Sequence, residues 1–344
     1  MKLHFQILIL STFFVISHTT AQNVVEVSKM NLGSHYIEVM EKLEKLRTSP
    51  ESALNLLNES LQKISNPYER FNLIFWEIPA LYCELGKFEE GFKVLKNGQK
   101  EGLFYPIFLE PNKFPSYIAN FESFSDFKSF LVENERLKTA AQDTTDFEYV
   151  VQLPRNYTKE KKYPLLMILH GGFGSHTQLM HDWYSPKLDS GFITVYTQGD
   201  RCLGNFLLGY SRDKTEMFVT AWKHILEKYS VDTTHVILGS QSAGAHHSLK
   251  LMFDEMLPVK GMILAIPAVP ELDMEKVKKA AGRRIRAAIL AGENDPRIIK
   301  TKEMSVEFDK LGLKNRLIIF PGKGHEFPDE FSKQIDLSLD FILE

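Results

Sequence analysis

The sequence predicts a small all-α part followed by an α/β part built on a doubly wound, mostly parallel sheet. Three observations carry this. Apolar residues recur at helical spacing through the first third of the chain. Beyond residue 143, short runs rich in Ile, Val and Leu take over, without strict alternation, as in strands buried on both faces. Those runs alternate with amphipathic helical segments, the order that builds a parallel sheet.

The bulk numbers agree. The 344 residues are enough for two domains, and 44% hydrophobic with 25% charged residues is ordinary globular composition. The formal net charge is -3, and no basic run is present, which excludes a nucleic-acid footprint. The expected division is 1–21 as an export leader, 22–143 as the helical domain and 144–344 as the α/β domain.

The leader rests on three features. Lys2 supplies a positive start, and residues 5–16 an apolar stretch too short to anchor in a bilayer. Thr19-Thr20-Ala21 supplies small residues before a cut between Ala21 and Gln22. The mature protein is therefore expected to be secreted or periplasmic. No later segment is long and apolar enough to cross a membrane.

In the helical part, Tyr36, Met40, Leu43 and Leu46 mark one helix. Pro50-Glu51 opens a second, carrying Ala53, Leu54, Leu57 and Leu61, and Asn66-Pro67 breaks it. An apolar run over 71–85 stops at Gly86, and a helix resumes over 88–95. Leu85-Gly86-x-Phe88-x-x-Gly91-Phe92 resembles a tetratricopeptide-type hairpin, with a generic helical bundle as the alternative. Phe121, Phe124, Phe127 and Phe130, about three apart, predict a buried helical face. Such helices offer grooves more than catalytic groups, so this part is read as shaping substrate access or binding a protein partner.

In the α/β part the expected strands are 147–153, 165–169, 192–196, 236–238, 262–266, 285–290 and 317–320. The expected helices are 215–228, 243–253, 301–311 and 331–341. The loop 197–210 is expected to wall a pocket, and no bulky lid fits into 267–283.

Ligands bind at the carboxyl ends of such strands, and the chemistry-bearing residues gather there. The strand 236–238 runs into Gly239-Ser240-Gln241-Ser242-Ala243-Gly244 and then a helix. A sharp strand-to-helix turn exposes a serine hydroxyl at the positive end of a helix. Gly244 supplies the small residue two after Ser242; Ser240 stands where the first glycine of G-x-S-x-G usually sits. The strand 285–290 ends in Gly292-Glu293-Asn294-Asp295-Pro296, and Asp295, after the Gly turn and before Pro, is preferred to Glu293 as an acid. The strand 317–320 ends in Pro321-Gly322-Lys323-Gly324-His325, a Gly-flanked histidine. The strand 165–169 ends in His170-Gly171-Gly172, a turn able to aim a backbone N–H at a developing oxyanion. His170 is read as structural.

Other clusters carry less. Cys83 and Cys202 fall in different parts, outside C-x-x-C or zinc spacing, and are read as unpaired thiols. His176, His181, His246 and His247, with Asp182, lack the spacing of a metal set, so no metal site is expected.

With these residues in view, the stretch 147–344 resembles the esterase branch of the α/β-hydrolase superfamily. The resemblance is to phospholipase/carboxylesterase, dienelactone-hydrolase-like and secreted feruloyl-esterase or polyhydroxybutyrate-depolymerase-like proteins. It is carried by Leu153-Pro154-x-x-Tyr157, Tyr163-Pro164-Leu165-Leu166, His170-Gly171-Gly172, Ser242-Ala243-Gly244, Gly292-x-x-Asp295-Pro296 and Gly324-His325-x-Phe327. It implies a Ser242, Asp295, His325 triad in the chain order of that fold, with the N–H groups of Gly172 and Ala243 as the oxyanion hole. It implies hydrolysis of a small-molecule carboxylic ester through an acyl-enzyme, with no cofactor or metal. Phe173, Phe206 and Tyr210 are expected to wall the substrate pocket. An acyl-peptide-type peptidase with the same triad, or a silent binding protein on the same fold, are the alternatives.

Overall fold

The computed structural model describes residues 33–46, 48–109 and 113–344. The expected leader lies outside the described residues.

The chain opens with α1 (Ser34–Lys45) and α2 (Pro50–Leu61), which face each other through Tyr36, Val39 and Leu43 on one side and Ala53, Leu54 and Leu57 on the other. Asn66 caps α3 (Pro67–Asn72), its Oδ1 accepting from the N–H groups of Tyr68 and Glu69. The helix then widens into a π turn (Leu73–Glu77) before α4 (Ile78–Glu84). Pro79 explains the widening. It has no N–H for the carbonyl of Phe75, four residues back, and the buried Tyr117 hydroxyl donates to that carbonyl instead, at 2.5 Å.

Gly86, at φ +72°, closes α4 in a Schellman turn: Lys87 N–H donates to Tyr82 O and Gly86 N–H to Cys83 O. The chain reverses into α5 (Phe88–Lys100), the expected hairpin. The phenylalanine periodicity behaves differently from expectation. Phe121 ends a 3-10 turn (Ser116–Phe121), whereas Phe127 and Phe130 belong to α6 (Phe127–Gln142). The four rings are gathered by Phe92, 5.2–5.9 Å from each, rather than by one helix. Burial was legible in the spacing; continuity of the helix was not.

The α/β part begins at β1 (Glu148–Gln152) and β2 (Tyr163–Leu169). It continues through α7 (His176–Asp182), α8 (Pro186–Gly191), β3 (Ile193–Gln198), β4 (Arg201–Gly204), β5 (Leu207–Gly209) and α9 (Glu216–Lys228). Then come β6 (Val231–Gln241), α10 (Gly244–Phe253), β7 (Val259–Ala265) and α11 (Met274–Gly282). The chain closes with β8 (Arg286–Gly292), α12 (Ile298–Lys310), β9 (Lys314–Phe320) and α13 (Phe331–Leu343). The main sheet has the order β1-β3-β2-β6-β7-β8-β9, parallel throughout except for the β1–β3 pair. Its seven strands are the seven expected.

Each central strand feeds two cores. Leu165, Met167 and Leu169 of β2 point into one and Leu166 and Ile168 into the other, which is why the sequence shows unbroken apolar runs. β2 lies between β3 and β6. The chain leaves β2 toward β3 and leaves β6 toward β7, so the loops after β2 and β6 diverge. That is a topological switch point, where doubly wound sheets open a crevice.

The loop expected at 197–210 is a short hairpin, β4–β5, and it joins the two parts. Leu208 and Gly174 exchange backbone hydrogen bonds on one side of it. On the other, Asn205 N–H donates to Phe104 O, and Phe104 N–H to Asn205 Oδ1. Leu207 and Phe173 enter the aromatic core of the helical part.

Candidate active site

Ser242 sits between the end of β6 and the start of α10 at φ +47°. A non-glycine residue there is strained, and the strain persists because the surroundings fix it. Ser242 N–H donates to Ala265 O at the end of β7, and Ala268 N–H donates to Ser242 O. The turn also demands small neighbours. A Cβ on Gly244 would lie 2.4 Å from His170 O and 2.8 Å from Leu169 O, both backbone atoms. At the position where glycine is usual, Ser240 is fully buried and its hydroxyl meets that of Ser248 at 2.8 Å. The departure from G-x-S-x-G is thus accommodated by a hydroxyl partner about one turn into α10, and Ser240 does not face the site.

The strand ends bring the other two side chains to Ser242. His325 Nε2 lies 2.9 Å from Ser242 Oγ, and His325 Nδ1 lies 2.7 Å from Asp295 Oδ2. Asp295 is 3% exposed, and its other oxygen accepts the N–H of Arg297. The loops carrying them are locked by contact: a Cβ on Gly292 would lie 2.2 Å from Gly324 O, so only glycine lets them meet. Glu293 points elsewhere, accepting Gly322 N–H at 2.9 Å.

The turn after β2 reaches the same point. A Cβ on Gly171 would lie 3.3 Å from Ser242 Cβ, and one on Gly172 would lie 4.0 Å from Ala243 Cβ. Among the described residues, neither Gly172 N–H nor Ala243 N–H donates to a protein acceptor. His170 braces this turn. It is fully buried, stacks on Tyr210 at 4.0 Å, accepts Gly199 N–H on Nε2 at 3.1 Å and donates from Nδ1 to Gly171 O at 2.9 Å. Burial pushes its pKa down to about 3, so the neutral ring holds one tautomer.

The chain has an α/β-hydrolase fold. Its strand order, its switch point between β2 and β6 and its strained serine turn are the features of that fold. No protein-family model matches the sequence, and no curated protein matches it. Among solved structures, an uncharacterized protein from Bacillus cereus is similar at 18% identity and a TM-score of 0.46, covering 90% of this chain and 99% of that one. A Bacillus cereus carboxylesterase is similar at 20% identity and a TM-score of 0.45, covering 60% and 99%. The propionate-bound esterase 2 of Thermogutta terrifontis is similar at 14% identity and a TM-score of 0.46, covering 58% and 90%.

A cavity of about 460 Å³ opens beside Gly171, Gly172 and Ala243, one residue from Ser242. The three aromatic residues expected to wall a pocket are dispersed. Tyr210 lines this cavity as its buried back, its hydroxyl tied to Thr197 Oγ1 and to His170 N–H. Phe173 and Phe206 do not line it. Phe173 packs on Trp76 and Phe114, and Phe206 on Tyr68 and Phe71, all from the helical part. Reading the sequence missed Trp76, because its position depends on the π turn. It also missed Ser248, whose only signal was the serine at a glycine position before it.

Proposed function

We propose that the protein is a serine hydrolase that cleaves carboxylic esters through an acyl-enzyme on Ser242. The observation that carries this is the continuous hydrogen-bonded relay from Ser242 Oγ through His325 to the buried Asp295. His325 Nε2 takes the Ser242 proton as Oγ attacks the ester carbonyl. Asp295, bonded to Nδ1–H, fixes the ring tautomer and stabilises the imidazolium. The N–H groups of Gly172 and Ala243, without a protein acceptor, are free to bind the oxyanion, with the α10 dipole behind Ala243. His325 then protonates the leaving alcohol. Water, deprotonated by the same ring, releases the acid.

A fluorophosphonate probe tests this directly. Wild type should be labelled at Ser242, and Ser242→Ala should lose both label and ester turnover. Labelling elsewhere, or turnover undiminished in Ser242→Ala, refutes it. The leader over residues 1–21 belongs to the same proposal: the esterase works after export. The intact mass of protein from its native host should place the N-terminus at Gln22; a full-length cytoplasmic product rules export out.

A further inference from the structure

We infer that the cavity beside Gly172 and Ala243 is a subsite for an anionic group, held by Arg201 and Arg212, so that the preferred ester carries a carboxylate. This rests on the serine-esterase reading for its reaction, though not for its binding.

The cavity wall holds four cations, Arg201, Arg212, Lys250 and Lys276, and three carboxylates, Asp254, Glu271 and Asp273. Their pairing is uneven. Lys250 and Lys276 both bind Asp254, at 2.7 and 2.6 Å. Asp273 caps α11, accepting from the N–H groups of Glu275 and Lys276. Asp200, next to Arg201 in sequence, bonds Ser211 N–H and Lys214 instead. Arg201 and Arg212 have no carboxylate partner within ion-pair distance among the described residues. Glu271, exposed in the same wall, pairs with neither of them.

Both arginines are held by backbone tied to the turn after β2. Arg201 is paired in register with Gly209, where a Cβ would lie 3.2 Å from Gly172 O. Arg212 follows Tyr210 by two residues, and the Tyr210 hydroxyl accepts His170 N–H. Burial lowers the pKa of His246 in the cavity wall, and Arg212 lowers it further. The histidines of the wall therefore stay neutral, and the positive charge is that of the guanidinium groups. Guanidinium is the side chain suited to a planar carboxylate, which it can grip through two N–H groups. A volume of about 460 Å³ accommodates a short acid-bearing chain beside Ala243, the residue after Ser242.

The test uses matched esters. Mono(4-nitrophenyl) adipate is compared with its methyl ester for an acyl-side carboxylate, and 4-acetoxybenzoate with its methyl ester for an alcohol-side one. In at least one pair the acid should be preferred. Arg201→Gln and Arg212→Gln should each lower the ratio of kcat/KM for acid over neutral twin by roughly 10- to 100-fold, the range for losing a hydrogen bond to a charged group. Arg136→Gln, on the outer face of α6, should leave the ratio unchanged. Binding is read separately by titrating adipate into Ser242→Ala protein, with and without the arginine substitutions. If neither acid is preferred and adipate binds without regard to the arginines, the anion subsite is refuted while the esterase reading stands. If adipate binding depends on them but no ester is cleaved, the subsite stands and the esterase reading fails.

Discussion

Acid should loosen this protein through two buried histidines, beginning at the turn after β2. Burial lowers His170 from 6.5 to about 3, and His247, 6% exposed beside Tyr210 and Phe218, to about 4. The sign follows from proton binding. The unfolded chain protonates both rings below about pH 6.5, while the folded chain resists until far lower pH, so stability is present above 6.5 and lost as pH falls toward the folded values. Between pH 7.5 and 5 each ring should cost about 2 kcal/mol, roughly 4 together, against a total of about 5–15 kcal/mol for a typical domain. Near pH 5 the slope should be about 2.5 kcal/mol per pH unit, because almost two more protons bind the unfolded state. His176, lowered by burial, acts in the same sense; His181, raised by its bond to Asp182, acts in the opposite one. Urea unfolding at half-unit pH intervals measures the slope, and His247→Gln should remove about half of it. A stability flat from pH 7.5 to 5, or native imidazole resonances of His170 titrating near 6.5, would refute the reasoning. Protonated His170 Nε2 cannot accept Gly199 N–H, so the turn after β2 loses that brace wherever the ring is charged.

Three further outcomes are expected. His325→Ala should cut ester turnover by about 10⁴–10⁶-fold and Asp295→Asn by about 10⁴-fold, without adding to the effect of Ser242→Ala, whereas Glu293→Gln should stay within about tenfold in steady-state assays. Ser248→Ala leaves the buried Ser240 hydroxyl without its partner and should cost about 1–3 kcal/mol in urea unfolding. Adding Ser240→Ala should recover part of that, and strictly additive losses would show that the pair is uncoupled. Limited proteolysis should cut within 143–146, past the end of α6, and the two fragments should co-elute on gel filtration, since Phe173, Leu207 and Leu208 pack into the helical part; separation of the fragments would count against that interface.

What was legible in the sequence was whatever depends on local chemistry. The central strands are apolar on both faces, so composition alone marks them, and the edge strands β1 and β9, only partly buried, are marked by shorter apolar runs. Asp295 could be preferred to Glu293 because Gly292 and Pro296 fix which residue leaves the strand end, and the structure puts Glu293 on Gly322 instead. What escaped depends on contacts between distant segments. The strands β4 and β5 are four and three residues long, and they are held by Gly174 and Phe104, one from each part of the chain. Phe173, Phe206 and Tyr210 are all aromatic residues on turns near the site, and sequence cannot say which faces a cavity. The answer was set by Trp76 and Tyr68, brought there by helical segments far earlier in the chain.

Those contacts tie the helical part to the turn after β2. Asn134 of α6 binds both the N–H and the carbonyl of Tyr105, at 2.8 and 2.9 Å. That pins the extended segment whose Phe104 exchanges hydrogen bonds with Asn205 at the tip of the β4–β5 hairpin. The other arm of the hairpin bonds Gly174, two residues beyond Gly172. From the other side, Trp76 stacks on Phe173, the residue between them, at 6.1 Å. The turn proposed to bind the oxyanion is therefore held by two independent contacts with the helical part and by His170 beneath it. A group that stabilises a transition state must already be in place when charge develops. Gly172 has neither a side chain nor regular secondary structure to hold it, so its position has to come from its neighbours. In this chain a large share of those neighbours belongs to the helices that precede the sheet.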